Sequence, residues 1–429
     1  MNEEQNIRQL PKGWKWAASS EILDIRDGTH DTPGYVTENG IPLITSKNLK
    51  ENTIDFEKIS YISKVDHFEI SKRSKVEEGD ILFAMIGTIG NPAIIKGDAN
   101  FSIKSVGLFK KNEKVILPSF LVNFLRSHTF EKQLNERKLL KGTTQRFIPL
   151  GNLRKINIPL PPKPTQQAIV SKIEELFSKL DKGIENLHTA QQQLKTYRQS
   201  LLKWAFEGKL TNENINEGEL PKGWKISELK SVVDKISDGP FGSNLKSVDY
   251  VDNGIRVIRL ENIGELEFRD EYRTFITYEK YETIKNHTVS KADIIFSSFI
   301  SENIRTVILP DYIDKAVNKA DCFLVRTSEH RINRKYLVYY FSTRAVYNQL
   351  VEEIHGATRP RINTTQLKAN LIPIFSIKEQ SNIVQAIESR LSVADKMEES
   401  ITQSLQQAEA LRQSILKMAF EGRLVYCWG

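Results

Sequence analysis

Two stretches of about 40 residues carry apolar side chains at steps of three and four, the period of one helix face. The first runs through Ile169, Ile173, Leu176, Leu180, Ile184, Leu187, Leu194, Tyr197, Leu201 and Trp204, interrupted only around Ala190. The second runs through Ile383, Ile387, Leu391, Ala394, Met397, Ile401, Leu405, Ala408, Leu411, Ile415 and Met418. Each predicts one helix ~60 Å long at a rise of 1.5 Å per residue. Such a stripe must be covered, either by the helix's own globular domain or by another helix. The equal length of the two stripes favours an antiparallel coiled coil between them. Elsewhere the pattern is mixed. Short apolar runs such as IPLIT, DILFAMIG, AIIKG, RVIRL and DIIFSSF alternate with Gly, Asn, Asp and Pro turns and read as strands. SFLVNFLRSHTFEKQLNER and RKYLVYYFSTRAVYNQLVEEI read as helical. The globular parts are therefore expected to be α+β.

All of this occurs twice. LPKGWK stands at residues 10 to 15 and 220 to 225, and SLLKWAFEGKL at 200 to 210 answers SILKMAFEGRL at 414 to 424. Between these lie weaker echoes: GIPLITSKNL against GIRVIRLENI, GDILF against ADIIF, and GTTQRFIPLGNLRKINIPL against GATRPRINTTQLKANLIPI. The offset is 210 from Trp14 to Trp224 and 214 from Phe206 to Phe420, so only small insertions separate the copies. A period this long is a duplicated domain rather than a solenoid. The expected segments are a first globular domain at 1–160, a first long helix at 161–210, a second domain at 211–374, a second long helix at 375–425 and a short tail at 426–429. PLPPKP at 159 to 164 interrupts regular structure at the first joint, and Pro373 marks the second. Trp14 and Trp224 are expected to anchor the domain cores.

Composition changes the picture little. The 429 residues are 39% hydrophobic and 27% charged, enough apolar content for two or three cores inside a soluble surface. No apolar run approaches the length of a membrane span, and MNEEQNIRQL lacks the order of a signal peptide. Cys322 and Cys427 form neither a disulfide framework nor a CxxC pair. A cytoplasmic protein is expected. The net charge of +7 leans towards a polyanionic partner. There is no lysine-rich tail or arginine-rich arm, so a basic surface would have to be assembled by folding. The closing LVYCWG departs from the polar tail expected after AFEGRL and raises the expectation of a truncation or frame shift there.

Paired domains opening with LPxGW, each followed by a helix closing in AFEGKL or AFEGRL, resemble the specificity (HsdS, or S) subunits of type I restriction-modification systems. The resemblance covers essentially the whole chain. SDGPFGSNL at 237 to 245 resembles the opening of many target-recognition domains, RDGTHDTP at 26 to 33 its common variant, and KGTTQRFIPLGNL at 141 to 153 the segment closing such a domain. The resemblance implies a phage-defence protein with two target-recognition domains in a pseudo-two-fold arrangement. Each would read one half of a bipartite, asymmetric double-stranded DNA target. The paired helices would act as a ruler for the spacer and dock two methyltransferase (M) subunits that carry S-adenosylmethionine and methylate adenine N6. Restriction and translocase (R) subunits would bring ATP and Mg.

No chemistry is expected in the chain itself. An amino-methyltransferase needs an Asn/Asp-Pro-Pro-Tyr/Phe tetrad, and the Pro-Pro here lies in LPPK. There is no P-loop, Gly-x-Gly-x-x-Gly or HExxH, and the seven histidines lack ligand spacing. Asp80 and Asp293 precede apolar strands where a nuclease acid might be sought, but they read as turn residues after Gly79 and Ala292.

Candidates for DNA contact are polar loop residues with reach. In the first domain they are Thr29, His30, Ser46, Lys47, Asn48, Lys104, Ser105, Thr143, Thr144, Gln145 and Arg146. In the second they are Ser243, Asn244, Lys246, Arg259, Asn262, Ser298, Lys319, Thr358, Arg359 and Arg361. The copies differ in these loops (Thr29 and His30 against Pro240 and Phe241, Gln145 against Arg359), so the two halves of a target should differ too. Leu180, Leu187, Leu201, Trp204, Phe206, Glu207, Ala394, Ile401, Ile415, Met418, Phe420 and Glu421 are the candidates for the helix seam or a partner-subunit interface. Gly208 and Gly422 suit helix C-caps, and the AFEG ends are expected to pack where a helix meets a neighbouring domain or the methyltransferase. Two other readings remain open: a coiled-coil scaffold that binds no DNA, and the specificity module of another methylation-based defence system.

Overall fold

Each stretch between LPKGW and its long helix closes on itself. Lys15–Ala18 pairs antiparallel with Asn157–Leu160, and Lys225–Glu228 with Leu371–Ile374, so each domain's first strand lies on its last. Pro159 and Pro373 fall in these two-stranded ribbons, where a missing N–H is tolerated. Trp14 and Trp224 are buried in the domain cores, and Trp224 stacks on Phe375 with ring centroids 3.8 Å apart. The structure, a computed structural model, describes residues 10–50, 52–211, 219–301, 303–352 and 360–425. It comprises two compact units, one of Met1–Leu187 with Thr402–Gly429 and the other of His188–Ile401.

Both units have the same central sheet. In the first, Ile25–Asp27, Val106–Phe109, Ile81–Ala84 and Gly90–Ile94 lie side by side in that order, all antiparallel. Lys235–Ser237, Cys322–Arg326, Ile294–Ser297 and Thr306–Ile308 repeat it in the second. Strand alternation divides the side chains between two cores. Ile81, Phe83 and Phe109 face the helices Pro118–Leu125 and His128–Glu136, while Leu82, Ala84 and Leu108 face a second sheet through Ile44 and Ile103. Ile294, Phe296 and Phe323 face Tyr336, Leu337 and Phe341 in the same way, with Ile295, Cys322 and Leu324 on the reverse. Burial on both faces is why DILF and DIIF read as unbroken apolar runs rather than as alternating ones.

The turn entering these strands explains Asp80 and Asp293. Gly79 and Ala292 take positive φ of 86° and 67°. The next residue, buried Asp80 or Asp293, accepts the Glu77 or Ser290 backbone N–H at 2.8 Å. Each then pairs with a cation one strand away, Lys110 at 2.5 Å and Arg326 at 2.5 Å. The hydrogen bonds that Arg326 donates to Asp293 are the main reason its pKa rises. Both aspartates are structural.

Lys163–Phe206 and Ile377–Phe420 are single helices of 44 residues. The first unit contains the start of the first and the end of the second, and there Ile169 and Ile173 share a core with Ile415, Leu416, Ala419 and Phe420. The second unit contains the complementary halves, where Ala205 and Phe206 share a core with Ile383, Val384 and Ile387. The helices run antiparallel within each unit. Arg412 pairs with Asp181 and lies over the Phe177 ring in the first, and Arg198 pairs with Asp395 at 2.7 Å and Glu398 at 2.8 Å in the second. At the repeat offset of 214, Arg198 matches Arg412 and Asp181 matches Asp395.

The seam differs from the expected stripe in part. On the second helix the buried row is Ile387, Ala394, Ile401, Ala408 and Ile415, a strict step of seven. The stripe placed Met397 and Leu411 in it, but these are half exposed, as is Trp204 on the first helix. A step of seven drifts off a straight 3.6-residue helix, so Met397 and Leu411, three beyond Ala394 and Ala408, turn outward; the residue four beyond each buried position lies on the other flank of the seam. Leu391, Glu398, Leu405 and Arg412 occupy that flank, two of them in ion pairs. Leu180 and Leu187 are half-buried and Leu201 is fully buried.

Both helices end in the same cap. Gly208 at φ 78° and Gly422 at φ 70° close Schellman turns, in which Lys209 N donates to Trp204 O at 2.9 Å and Arg423 N to Met418 O at 2.8 Å. Glu207 pairs with Lys209 and Glu421 with Arg423. Phe420 packs edge-on against Phe120 and Phe124, and Phe206 edge-on against Tyr340 and tilted against Tyr336. The AFEG ends therefore sit where a helix meets a globular domain, and it is the domain of the other copy.

Candidate functional site

Sheet register gathers most of the candidate residues at one end of each central sheet. Asp27 lies opposite Gly107, and Ala84 opposite Val106. The chain beyond these pairs therefore carries Gly28 to His30, Lys104 with Ser105, and Met85 to Gly87 out together at the same end. Thr29 forms a parallel bridge with Lys104, and the Ser46 hydroxyl donates to Ser105 O at 3.1 Å. The GTTQRF segment is a tight hairpin closed by two hydrogen bonds between Lys141 and Phe147. It is pinned to the same end by Gly87 N to Arg146 O at 3.2 Å and Ile148 N to Met85 O at 2.9 Å. Thr143, Thr144, Gln145 and Arg146 form its exposed tip, and the Arg146 guanidinium has no ion pair among the described residues.

The second unit repeats the arrangement. Asp238 follows the Ser237–Leu324 pair, Ser298 N donates to Asp321 O at 2.9 Å, and Phe299 bridges Arg361. The Arg361 guanidinium lies 4.3 Å from the Phe299 ring centroid and 3.6 Å from Asp321. Thr358 and Arg359 lie outside the described residues. Lys319 and Arg259 both approach the Tyr250 ring, at 5.0 and 5.6 Å from its centroid. Ser243, Asn244 and Lys246 are exposed on the loop that precedes Tyr250.

The glycine of the DG motif makes this convergence possible. A Cβ at Gly28 would stand 2.2 Å from the Ile103 carbonyl oxygen, and one at Gly239 2.2 Å from the Lys319 carbonyl carbon. Only glycine lets the loop run flush against the lysine-bearing segment. The aspartate before it is held differently in the two copies. Asp27 is buried, pairs with Arg73 and lies 2.9 Å from His30 Nε2. Asp238 has no ion pair among the described residues, with His287 as its basic neighbour, and accepts the Gly239 and Asp321 backbone N–H groups at 2.7 and 3.0 Å. Burial pushes its pKa up to about 6, against the pull of those hydrogen bonds, and nearby Asp321 adds to the rise.

Three candidates face inward. Asn48 and Asn262 are buried and play one role in both copies. Oδ1 accepts the Thr45 or Arg259 backbone N–H at 3.0 Å, while the amide donates to Asp55 O and Lys58 O, or to Arg269 O and Tyr272 O. Ser298 is buried and donates to Asp321 Oδ1 at 2.9 Å. These side chains shape the loops. The candidates turned towards solvent are His30, Lys47, the 143–146 tip, Ser243, Asn244, Lys246 and Arg361, with Thr29, Ser46, Lys104, Ser105, Arg259 and Lys319 half-buried among them. Phe241 takes the place of His30, two residues after the shared glycine, and is 61% exposed.

A family model, the type I restriction modification DNA specificity domain, matches residues 11–195 and again 221–407. The chain belongs to this family. It is 22% identical to the EcoKI specificity subunit of Escherichia coli K12, over 98% of this chain and 91% of that one. Identity to the StySPI specificity subunit of Salmonella potsdam is 24%, over 99% and 92%. Among solved structures, a chain from work on complex assembly and conformational transition of the type I R-M system aligns over 97% of this chain and 99% of its own, with a TM-score of 0.70 at 20% identity. The HsdS subunit from Thermoanaerobacter tengcongensis aligns over 97% and 99%, with a TM-score of 0.59 at 19% identity. Both share the fold. As a type I specificity subunit the chain has two target-recognition domains, and the two sheet ends described above are one in each. No described helix is long and apolar enough to cross a membrane.

Proposed function

We propose that the chain is the non-catalytic, sequence-reading subunit of a type I methyltransferase and endonuclease complex, and that each target-recognition domain reads one half of a split DNA target. The observation that carries this reading is the convergence of cationic and hydrogen-bonding loop residues at the same end of the same sheet in both copies. Lys104, Lys47 and Arg146 in the first domain, and Lys246, Lys319, Arg259 and Arg361 in the second, supply the phosphate term of binding. Ser, Thr, Asn and Gln side chains between them supply base-edge contacts, and the divergence of these loops makes the half-sites differ. The long helices set the separation of the half-sites and offer the half-exposed Trp204, Met397 and Leu411 to methyltransferase subunits. Methyl transfer with S-adenosylmethionine and any ATP- and Mg-dependent cleavage belong to the partner subunits.

The test is selection from a pool of random duplexes by the chain in complex with its methyltransferase subunit, at moderate salt. Enrichment of one motif in two parts with a fixed gap is expected. Retention of duplexes without sequence preference at any salt would favour the scaffold reading.

A further inference from the structure

Phe241 stands out against its surroundings. An exposed phenylalanine is ordinary on a protein surface, but this one lies in the turn of residues 241–246, whose other outward side chains, Ser243, Asn244 and Lys246, are polar or charged; the next exposed apolar side chain is Val248. The loop is also held on both sides of the ring. Ahead of it, Gly239 and Pro240 are buried, and Gly239 lies flush against the Asn318 and Lys319 backbone. Behind it, Asn244 N donates to Phe241 O at 3.1 Å, and Leu245 is buried with Ile255, Val257 and Ile276. An apolar ring is thus presented to solvent by a fixed backbone. Lys319, against which that backbone lies, carries its ammonium to the Tyr250 ring shared with Arg259. In the first unit the same position holds another ring, His30, 2.9 Å from the buried Asp27 carboxylate.

We infer that Phe241 is a DNA-contact residue of the second target-recognition domain, packing its ring on the face of a base at one deformable step of the second half-site. This rests on the DNA-reading assignment above. A rigid aromatic beside cations matches what nucleic acid offers, a charged backbone with apolar base faces next to it. Rings of this kind unstack a base step in duplex DNA, and pyrimidine–purine steps yield most easily. The ring neutralises no phosphate, so its contribution is independent of salt, unlike that of Lys246.

The experiment uses the whole chain with its methyltransferase subunit and a duplex carrying the selected target. Phe241→Ala is expected to weaken binding about tenfold or more, the scale of one base–aromatic contact. The slope of log affinity against log salt should stay unchanged, and Phe241→Tyr or Phe241→Trp should restore affinity. With 2-aminopurine placed at each position of the second half-site in turn, one position should brighten on binding wild type and stay dark with Phe241→Ala. Wild-type affinity in the alanine variant, a loss confined to the first half-site, or a loss of methyltransferase association would each overturn the inference. A native complex that binds DNA without selectivity would overturn the DNA-reading assignment along with it.

Discussion

At the residue scale, the two copies place the same aspartate in different electrostatic surroundings. Asp27 has Arg73, whereas Asp238 has two backbone N–H groups, the Asp321 carboxylate and the His287 ring as its electrostatic neighbours. The folded Asp238 carboxyl holds its proton up to about pH 6, while an unfolded one releases it near pH 4. Between those values the folded state binds more protons, so this group's contribution to stability falls as pH rises through the window. Asp238→Asn keeps an oxygen for the two N–H groups and removes the titration. Urea midpoints should therefore show the variant gaining on the parent from pH 4 to pH 7; a constant difference would contradict this account of Asp238. The loops that carry such residues were legible in the sequence, but the direction of each side chain was not. Asn48 and Lys47 are adjacent polar loop residues, and only the fold shows that one closes a loop and the other meets water. Phe241 has no polar reach, and its signal is exposure, which a sequence does not contain.

At the scale of elements, hydrophobic period identified both long helices, and recurrence of AFEG marked their ends. It could not show that each end packs on the other copy's domain, because a stripe says how much surface must be covered and not by what. The cap turn explains Gly208 and Gly422, and contact with a foreign core explains Phe206 and Phe420. Truncating either ring leaves a cavity among close-packed aromatics, so Phe206→Ala and Phe420→Ala should each cost about 3–5 kcal/mol. Arg198→Ala and Arg412→Ala remove partly exposed cross-helix ion pairs and should cost under about 1 kcal/mol. Denaturant unfolding of the four variants checks the order. Arginine variants as damaging as the phenylalanine variants would mean that the pairs, rather than the cores, hold the helices in register. Met397 and Leu411 were misplaced because steps of three and of four look alike in a sequence, and only the step of seven in the structure separates the seam from its flank.

At the scale of the molecule, duplication was the most legible feature, and the structure makes it a duplication of mutual support. Each unit is completed by helix from the other copy, so neither domain with its own helix is a closed body. On the proposed reading, a ruler built this way would make spacing a property of helix length. Removing four residues from the middle of one long helix should change the preferred gap between half-sites and leave the bases of each half unaltered. Methylation of the variant at the original gap would count against the ruler. The central claim is that two separate ends of this chain each read half of one target. Its most direct measurement is a genome-wide map of N6-methyladenine in cells that co-express the chain with its methyltransferase subunit. The account predicts a single split motif, two unlike half-sites separated by a fixed run of unspecified bases. A continuous motif, or no methylation that depends on this chain, would contradict it.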